Sequence, residues 1–337
     1  MEVKHLEYKD SPHPMTTGRV SGLHFESFDK DRNPKMTSIM NLTNRARVSI
    51  SHTPLPASGK NANGHQEAQM FLDGPRLTNE FYVFASCSEF VMSRALYETT
   101  VPKGLLDIKF VLGHVGNCTV SLVTEFYACV EIGSPHRSFR AAPLWTNTHQ
   151  FVTVDKNTRK PAQLHDWFQD KYKGKGAMER GLTVKPFDRP AVTYAHPTVV
   201  QWTDTDHYNH TSWSSYVRWA TDALHAALLL QNKSYSPHKP NAAMSKSSQS
   251  DTVNVALCGI SKEIVVRGLR KMQVIYLREC LEGEHLETHV WQEEGAEKEL
   301  VWFSVVKDGE DRCQIKMWFF RDKAESVSEE EEEEFPV

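Results

Sequence analysis

The run DTDHYNHTSWSSYVRW, residues 204–219, crowds Asp204, Asp206, His207 and His210 directly ahead of a stretch that is apolar at helical spacing. These residue types can move protons. A carboxylate at Asp206 can take a proton from water, or attack an electrophilic carbon itself. An imidazole at His210 can orient that acid or shuttle the proton. Thr211 and Ser212 are N-cap candidates for the helix that follows. The amides near them therefore stand at the positive end of a helix dipole, where they can donate to a negative oxygen as it develops. The alternative use of Asp206 is as a loop or capping carboxylate. A metal site built from Asp204, Asp206, His207 and His210 is a further alternative, but their spacing matches no strong zinc pattern, and no metal or other cofactor is expected. His207 is expected to be exposed.

A second candidate group lies in the strand-like segment YLRECLEGEHLE, residues 276–287. Glu279 and Cys280 are neighbours, so a regular strand points them to opposite faces, and one of the two reaches a shared site. A buried cysteine is more often a packing residue than a nucleophile, which ranks Glu279 ahead of Cys280.

These groups need elements to position them. Trp213, Tyr216, Val217, Ala220, Leu224, Ala227 and Leu228 recur at three- and four-residue steps, which predicts an amphipathic helix with one buried face. Trp213 and Trp219 are expected to pack in the core. After a polar stretch at 231–251 come segments rich in Val, Ile, Tyr and Trp, at 261–280, 284–294, 298–309 and 313–322, separated by turn residues. The N-terminal half has the same order. FDKDRNPKMTSIMNLTNRAR, residues 28–47, opens a helix, a polar insertion follows at 51–79, and strand-like segments follow at 80–101, 105–115, 118–133 and 149–161. Matching the paired aspartates of the two halves sets Asp29 and Asp31 on Asp204 and Asp206, and Lys35 on His210. Thr37 and Ser38 then fall on Ser212 and Trp213, and Asn41 on Tyr216. A helix followed by antiparallel strands, twice over, predicts a duplicated α+β domain.

Composition narrows the function classes. The chain has 337 residues, 39% of them apolar, and a formal net charge of −4, which gives no basic field for nucleic acid. No apolar run is long enough to span a bilayer. The start, MEVKHLEYKDSPHP, has no apolar stretch of the signal-peptide kind, and six scattered cysteines contain no CxxC pair, so a reducing, cytoplasmic setting is expected. The closing run SVSEEEEEEFPV reads as a solvated acidic tail.

The loop DTDHYNHTSWSSYVRW resembles the signature of hotdog-fold thioesterases, in which Asp-x-Asp precedes a His and a helix bearing Tyr and Trp. The later YLRECLEGEHLE is similar to the strand those enzymes place after that helix. The nearest likeness is to plant-type acyl-acyl-carrier-protein thioesterases and the 4-hydroxybenzoyl-CoA thioesterase-like families, and it covers residues 18–322. It implies a tandem hotdog, two halves each with an antiparallel sheet wrapped around a long helix. The N-terminal half is expected at 15–165 with a degenerate site, a linker at 166–190, the catalytic half at 191–322 and the tail at 323–337. The resemblance implies hydrolysis of fatty acyl-CoA or acyl-carrier-protein thioesters, with Asp206, His210, Glu279 and, ranked last, Cys280 as catalytic residues, and with Thr211 and Ser212 at the oxyanion. It also implies association of the internal pseudo-dimer into a homo-oligomer. The chain departs from the family at Tyr208, where the family has Asn, at Ser212 and Trp213, where it usually has two Asn, and at Lys35. The alternatives are a non-catalytic acyl-thioester-binding protein and an enoyl-thioester hydratase.

Overall fold

A computed structural model describes residues 4–55, 69–129, 139, 141–206, 208–234, 247–293 and 295–321. The acidic tail, most of the 231–251 stretch and His207 lie outside them. The described residues form two compact units, divided between Thr183 and Val184.

In the C-terminal unit the strands are β7 (Tyr194–Val199), β8 (Leu269–Tyr276), β9 (His285–Trp291), β10 (Leu300–Lys307) and β11 (Glu310–Phe319). They pair antiparallel in the order β7-β9-β10-β11-β8. The N-terminal unit contains β1 (Lys4–Lys9), β2 (Met15–Ser21), β3 (Tyr82–Met92), β4 (Leu105–Val115), β5 (Thr119–Ala128) and β6 (Trp145–Val154). Its order is β1-β2-β4-β5-β6-β3. Without the edge strand β1, the two orders are the same: the first strand of each unit pairs with the third, a meander returns, and the second strand lies beyond its end. The duplication expected from sequence is present as repeated topology.

Setting β1 aside, each unit places one long helix between its first two strands. In the N-terminal unit this is α1 (Met36–His52). It is followed by α2 (Gly74–Glu80) and, after β6, by α3 (Asp166–Tyr172). In the C-terminal unit it is α4 (Trp213–Ser234), followed by α5 (Ser247–Ala256) and the short α6 (Lys262–Val265). The stripe read from the sequence is the buried face of α4: Tyr216, Val217, Ala220, Ala223, Leu224, Ala227 and Leu228 are all buried, and the helix lies against β7, β9, β10 and β11. Burying one such leucine or valine contributes about 1.5–3 kcal/mol, so this face fixes where the helix begins as well as where it lies. Trp219 is buried as expected, and Trp213, at the first turn, is half-buried.

Several local expectations differ from the fold. Residues 262–265 are helical and β8 begins at Leu269. The 51–79 insertion ends in α2, which starts with Pro at its first turn and buries Leu77, beside buried Phe71 and Leu72. The end of the 231–251 stretch is helical from Ser247. The strands β1, β2 and β7 carry too little apolar alternation to read as strands. The segment expected as a linker is tied to the N-terminal unit as far as Thr183. Tyr172 donates to Asp73 (2.8 Å), Trp167 to Glu80 (2.9 Å), and the Ala177 and Met178 amides to the Leu112 and Gly113 carbonyls (2.9 and 2.8 Å). Gly176 packs so closely on Gly113 that a Cβ would stand 2.1 Å from its carbonyl oxygen.

One buried imidazole belongs to this framework. His149 on β6 pairs its Nδ1 with the Ser88 hydroxyl (3.0 Å) and stacks on Phe151. Burial, and then the neighbouring Arg47, hold its pKa well below the ordinary histidine value. An unfolded chain therefore takes up this proton first, and stability falls as pH drops below about 6.5. Thermal midpoints measured between pH 7 and 5 should decline less steeply in His149→Gln than in the wild type. Equal slopes would contradict the assignment.

Candidate functional site

The loop ahead of α4 is built by short-range bonds. A 3-10 turn at Trp202–Asp204 ends on Asp204, which is buried. Its carboxylate accepts the Gln201 amide (3.0 Å) and a guanidinium N–H of Arg218. Its carbonyl accepts the Ser212 amide (2.7 Å) and the Ser215 hydroxyl (3.2 Å). Asp204 thus fastens the loop to the first turns of α4. Two residues on, the Asp206 amide donates to the His210 carbonyl and the Asn209 amide to the Asp206 carbonyl (both 3.0 Å). Asn209 takes a left-handed φ of 61°, a conformation that asparagine tolerates better than most residues.

This tight loop brings Asp206 and His210 together. The Asp206 side chain is 30% exposed and accepts the Tyr208 amide at Oδ1 (2.8 Å). Its Oδ2 lies 3.8 Å from His210 Nδ1, an electrostatic contact beyond hydrogen-bond range. His210 Nδ1 lies instead 3.0 Å from the Thr211 carbonyl. A carbonyl can only accept, so Nδ1 carries a proton and the basic end of a neutral His210 is Nε2. The Tyr208 ring stacks beside the imidazole, 5.9 Å between centroids.

The segment after β8 closes the other side. Cys280 and Glu279 lie beyond the strand, which ends at Tyr276. Glu279 is exposed and Cys280 is fully buried, so of the two it is the cysteine that packs inward, with its backbone against the loop. Its carbonyl accepts both the amide and the hydroxyl of Thr211 (2.9 Å each). Burial pushes its thiol pKa up, against a hydrogen bond from Tyr216 that pulls it down. Burial likewise raises the Tyr216 phenol well above its usual range. A raised thiol pKa leaves little thiolate at neutral pH, so Cys280 is poorly suited as a nucleophile. A short maleimide pulse followed by peptide mapping should find label on exposed Cys258 and none on Cys280. Rapid labelling of Cys280 would overturn that reading.

The helix start also differs from expectation. The Thr211 and Ser212 amides, expected to serve an oxyanion, are committed to the Cys280 and Asp204 carbonyls. Among the described residues the Ser212 hydroxyl has a long contact, 3.5 Å, to the Ser214 hydroxyl. Among the described residues, no group of three or more His, Cys, Asp or Glu side chains is placed to hold a metal ion.

The N-terminal unit contains the same loop, in a different register from the one set by matching aspartate pairs. The Asp29 amide donates to the Asn33 carbonyl (2.9 Å), as Asp206 does to His210. Asp29 Oδ1 accepts the amide two residues on (2.9 Å), as Asp206 Oδ1 does. Arg32 is left-handed, φ 68°, as Asn209 is. The Ser27 carbonyl accepts the Lys35 amide (2.8 Å), as Asp204 accepts Ser212. The isolated bridges Phe28↔Pro34 and Thr205↔Thr211 coincide. The alignment moves by two positions: Asp29 matches Asp206, Asn33 matches His210, Pro34 matches Thr211 and Lys35 matches Ser212. Ser27 stands where Asp204 does, its hydroxyl accepting the His24 amide (3.2 Å). Pairing the two aspartates matched residue types that have different jobs.

With fold and loop in place, the chain can be compared with known proteins. Its fold is that of solved structures designated thioesterases. An oleoyl thioesterase so designated from Lactobacillus plantarum matches with a TM-score of 0.59 and 13% identity, over 92% of this chain and 97% of that one. The 12:0-ACP thioesterase from Umbellularia californica matches with a TM-score of 0.57 and 13% identity, over 91% and 97%. An acyl-ACP thioesterase from Bacteroides thetaiotaomicron matches with a TM-score of 0.55 and 13% identity, over 91% and 98%. No family model matches the sequence, and no curated protein matches it.

Proposed function

We propose that the chain is a tandem hotdog hydrolase of fatty acyl thioesters, acyl-CoA or acyl-carrier-protein, with its working site in the C-terminal unit. The observation that carries this reading is the pairing of Asp206 and His210 in one tight loop at the start of α4, in a fold shared with proteins designated thioesterases. A thioester carbonyl is already activated. It needs a base or nucleophile, a donor for the oxygen that becomes negative, and a proton for the departing thiol. Asp206 is partly open to solvent and supplies the base or nucleophile. With Asp206 as base, the proton taken from water passes from its carboxyl to the leaving sulfur, while His210, its Nδ1 towards the loop and its Nε2 buried, orients that carboxylate. The Ser212 hydroxyl and the positive end of α4 stabilise the oxyanion, since the Thr211 and Ser212 amides are occupied. Glu279 is exposed beside this loop and retains a role only if substrate draws it in. The N-terminal loop keeps the carboxylate of Asp29 but has Asn33 and Pro34 at the positions of His210 and Thr211, so it has no imidazole to work with that carboxylate.

The test is a panel of saturated acyl-CoAs, acyl-carrier proteins and enoyl-CoAs, read for free thiol and for enoyl absorbance. Thiol release from saturated substrates is expected. Loss of enoyl absorbance without thiol would mean a hydratase, and binding with neither signal would mean a carrier.

A further inference from the structure

We infer that Thr211 is a positioning residue that holds His210 in its working tautomer, an inference that rests on the hydrolase reading of this loop. Thr211 is buried and spends both its donors on one acceptor, the Cys280 carbonyl, at 2.9 Å from the amide and 2.9 Å from the hydroxyl. Two bonds from one residue to one oxygen fix Thr211 on its N-terminal side, and the next peptide, which carries the Thr211 carbonyl, is held by the Ser212 amide's bond to the Asp204 carbonyl (2.7 Å). The carbonyl of that same residue receives the Nδ1 proton of His210 at 3.0 Å. The proton on the imidazole is thereby kept at Nδ1 and the lone pair at Nε2. Asp206, at 3.8 Å from Nδ1, is too far to do this.

The repeat supplies an independent observation. In the N-terminal unit the same loop closes with the same backbone bonds around Asp29 and Lys35. There Pro34 stands at the Thr211 position and has neither an amide hydrogen nor a hydroxyl, so it can make neither bond. Asn33 stands at the histidine position. The loop therefore forms without the clamp, and the clamp accompanies the histidine. Its function is to fix the imidazole and not to fold the loop.

The test uses the full chain carrying Thr211→Val, which keeps shape and amide but loses the hydroxyl, and Thr211→Ser, which keeps the hydroxyl. Steady-state hydrolysis of an acyl-CoA and the 15N spectrum of the His210 ring are recorded for each. In Thr211→Val, kcat should fall by about 3- to 10-fold, the weight of one lost hydrogen bond, with KM little changed. The wild-type spectrum should show Nδ1–H alone, and the valine variant a mixture of tautomers. Thr211→Ser should restore both. Wild-type kcat and an unchanged tautomer in Thr211→Val would overturn the inference while leaving the hydrolase reading intact. Failure of serine to restore the tautomer would overturn it too. If the wild type releases no thiol, the hydrolase reading fails, and the ring spectra alone decide the role of Thr211.

Discussion

Asp206→Asn should lower thioester hydrolysis by about two orders of magnitude or more, the scale of a lost general base or nucleophile. The substitution is conservative in every other respect. The loop is closed by main-chain bonds from Asp206 to His210 and from Asn209 to Asp206, and neither involves the carboxylate. The side-chain bond that exists, from the Tyr208 amide to Oδ1, can be accepted by an asparagine oxygen. Thermal stability should therefore stay close to wild type, and the loss should appear in kcat. Full activity at matched stability would remove Asp206 from the mechanism and return it to the status of a loop carboxylate.

The second large effect is on stability. Asp204 shares the Asp-x-Asp motif with Asp206 but has the opposite character: it is buried and tied to Gln201 and Arg218. Removing it by Asp204→Ala strands the Gln201 amide and breaks the side-chain link to Arg218 of α4, while the main-chain bonds to Ser212 and Ser215 remain. Hydrogen bonds to charged groups are worth about 1.5–3 kcal/mol, and the partly exposed Arg218 can regain water, so a net loss of about 2–3 kcal/mol is expected. On a unit of this size that lowers the thermal midpoint by roughly 4–12 °C, with activity falling as the loop loosens. Asp222→Asn is the control. Asp222 is exposed and meets the same Arg218 at 3.5 Å, so its loss should change little. An unaltered melting curve for Asp204→Ala would contradict its role as the anchor.

These two aspartates also show what the sequence made legible. The helical stripe from Tyr216 to Leu228 reports packing directly, because periodic apolar residues have one economical use, and it located α4 and its buried face. The strand-like segments that follow each long helix were readable from their Val, Ile, Tyr and Trp content, while β1, β2 and β7 were not. The loop itself was readable as a cluster of proton-moving residues at a helix start. The different jobs of Asp204 and Asp206 were not, since burial and partners decide them and residue type does not. The misplaced repeat has the same cause: Ser27 does the work of Asp204, and no comparison of letters equates serine with aspartate. Glu279 and Cys280 were set on opposite faces by strand alternation, but the strand ends at Tyr276, and in the segment that follows the cysteine is the buried one. The commitment of the Thr211 amide to Cys280 joins residues far apart in sequence, and local pattern carries no trace of such a bond.

The central claim is that this chain cleaves acyl thioesters with water. The most direct measurement is multiple-turnover reaction of the purified wild-type chain with a long-chain acyl-CoA or acyl-carrier protein in 18O-labelled water, with thiol and fatty acid measured together. The expected result is equimolar thiol and free acid, with label from solvent in the acid carboxylate. Recovery of intact, unlabelled thioester across chain lengths and both carriers would contradict it.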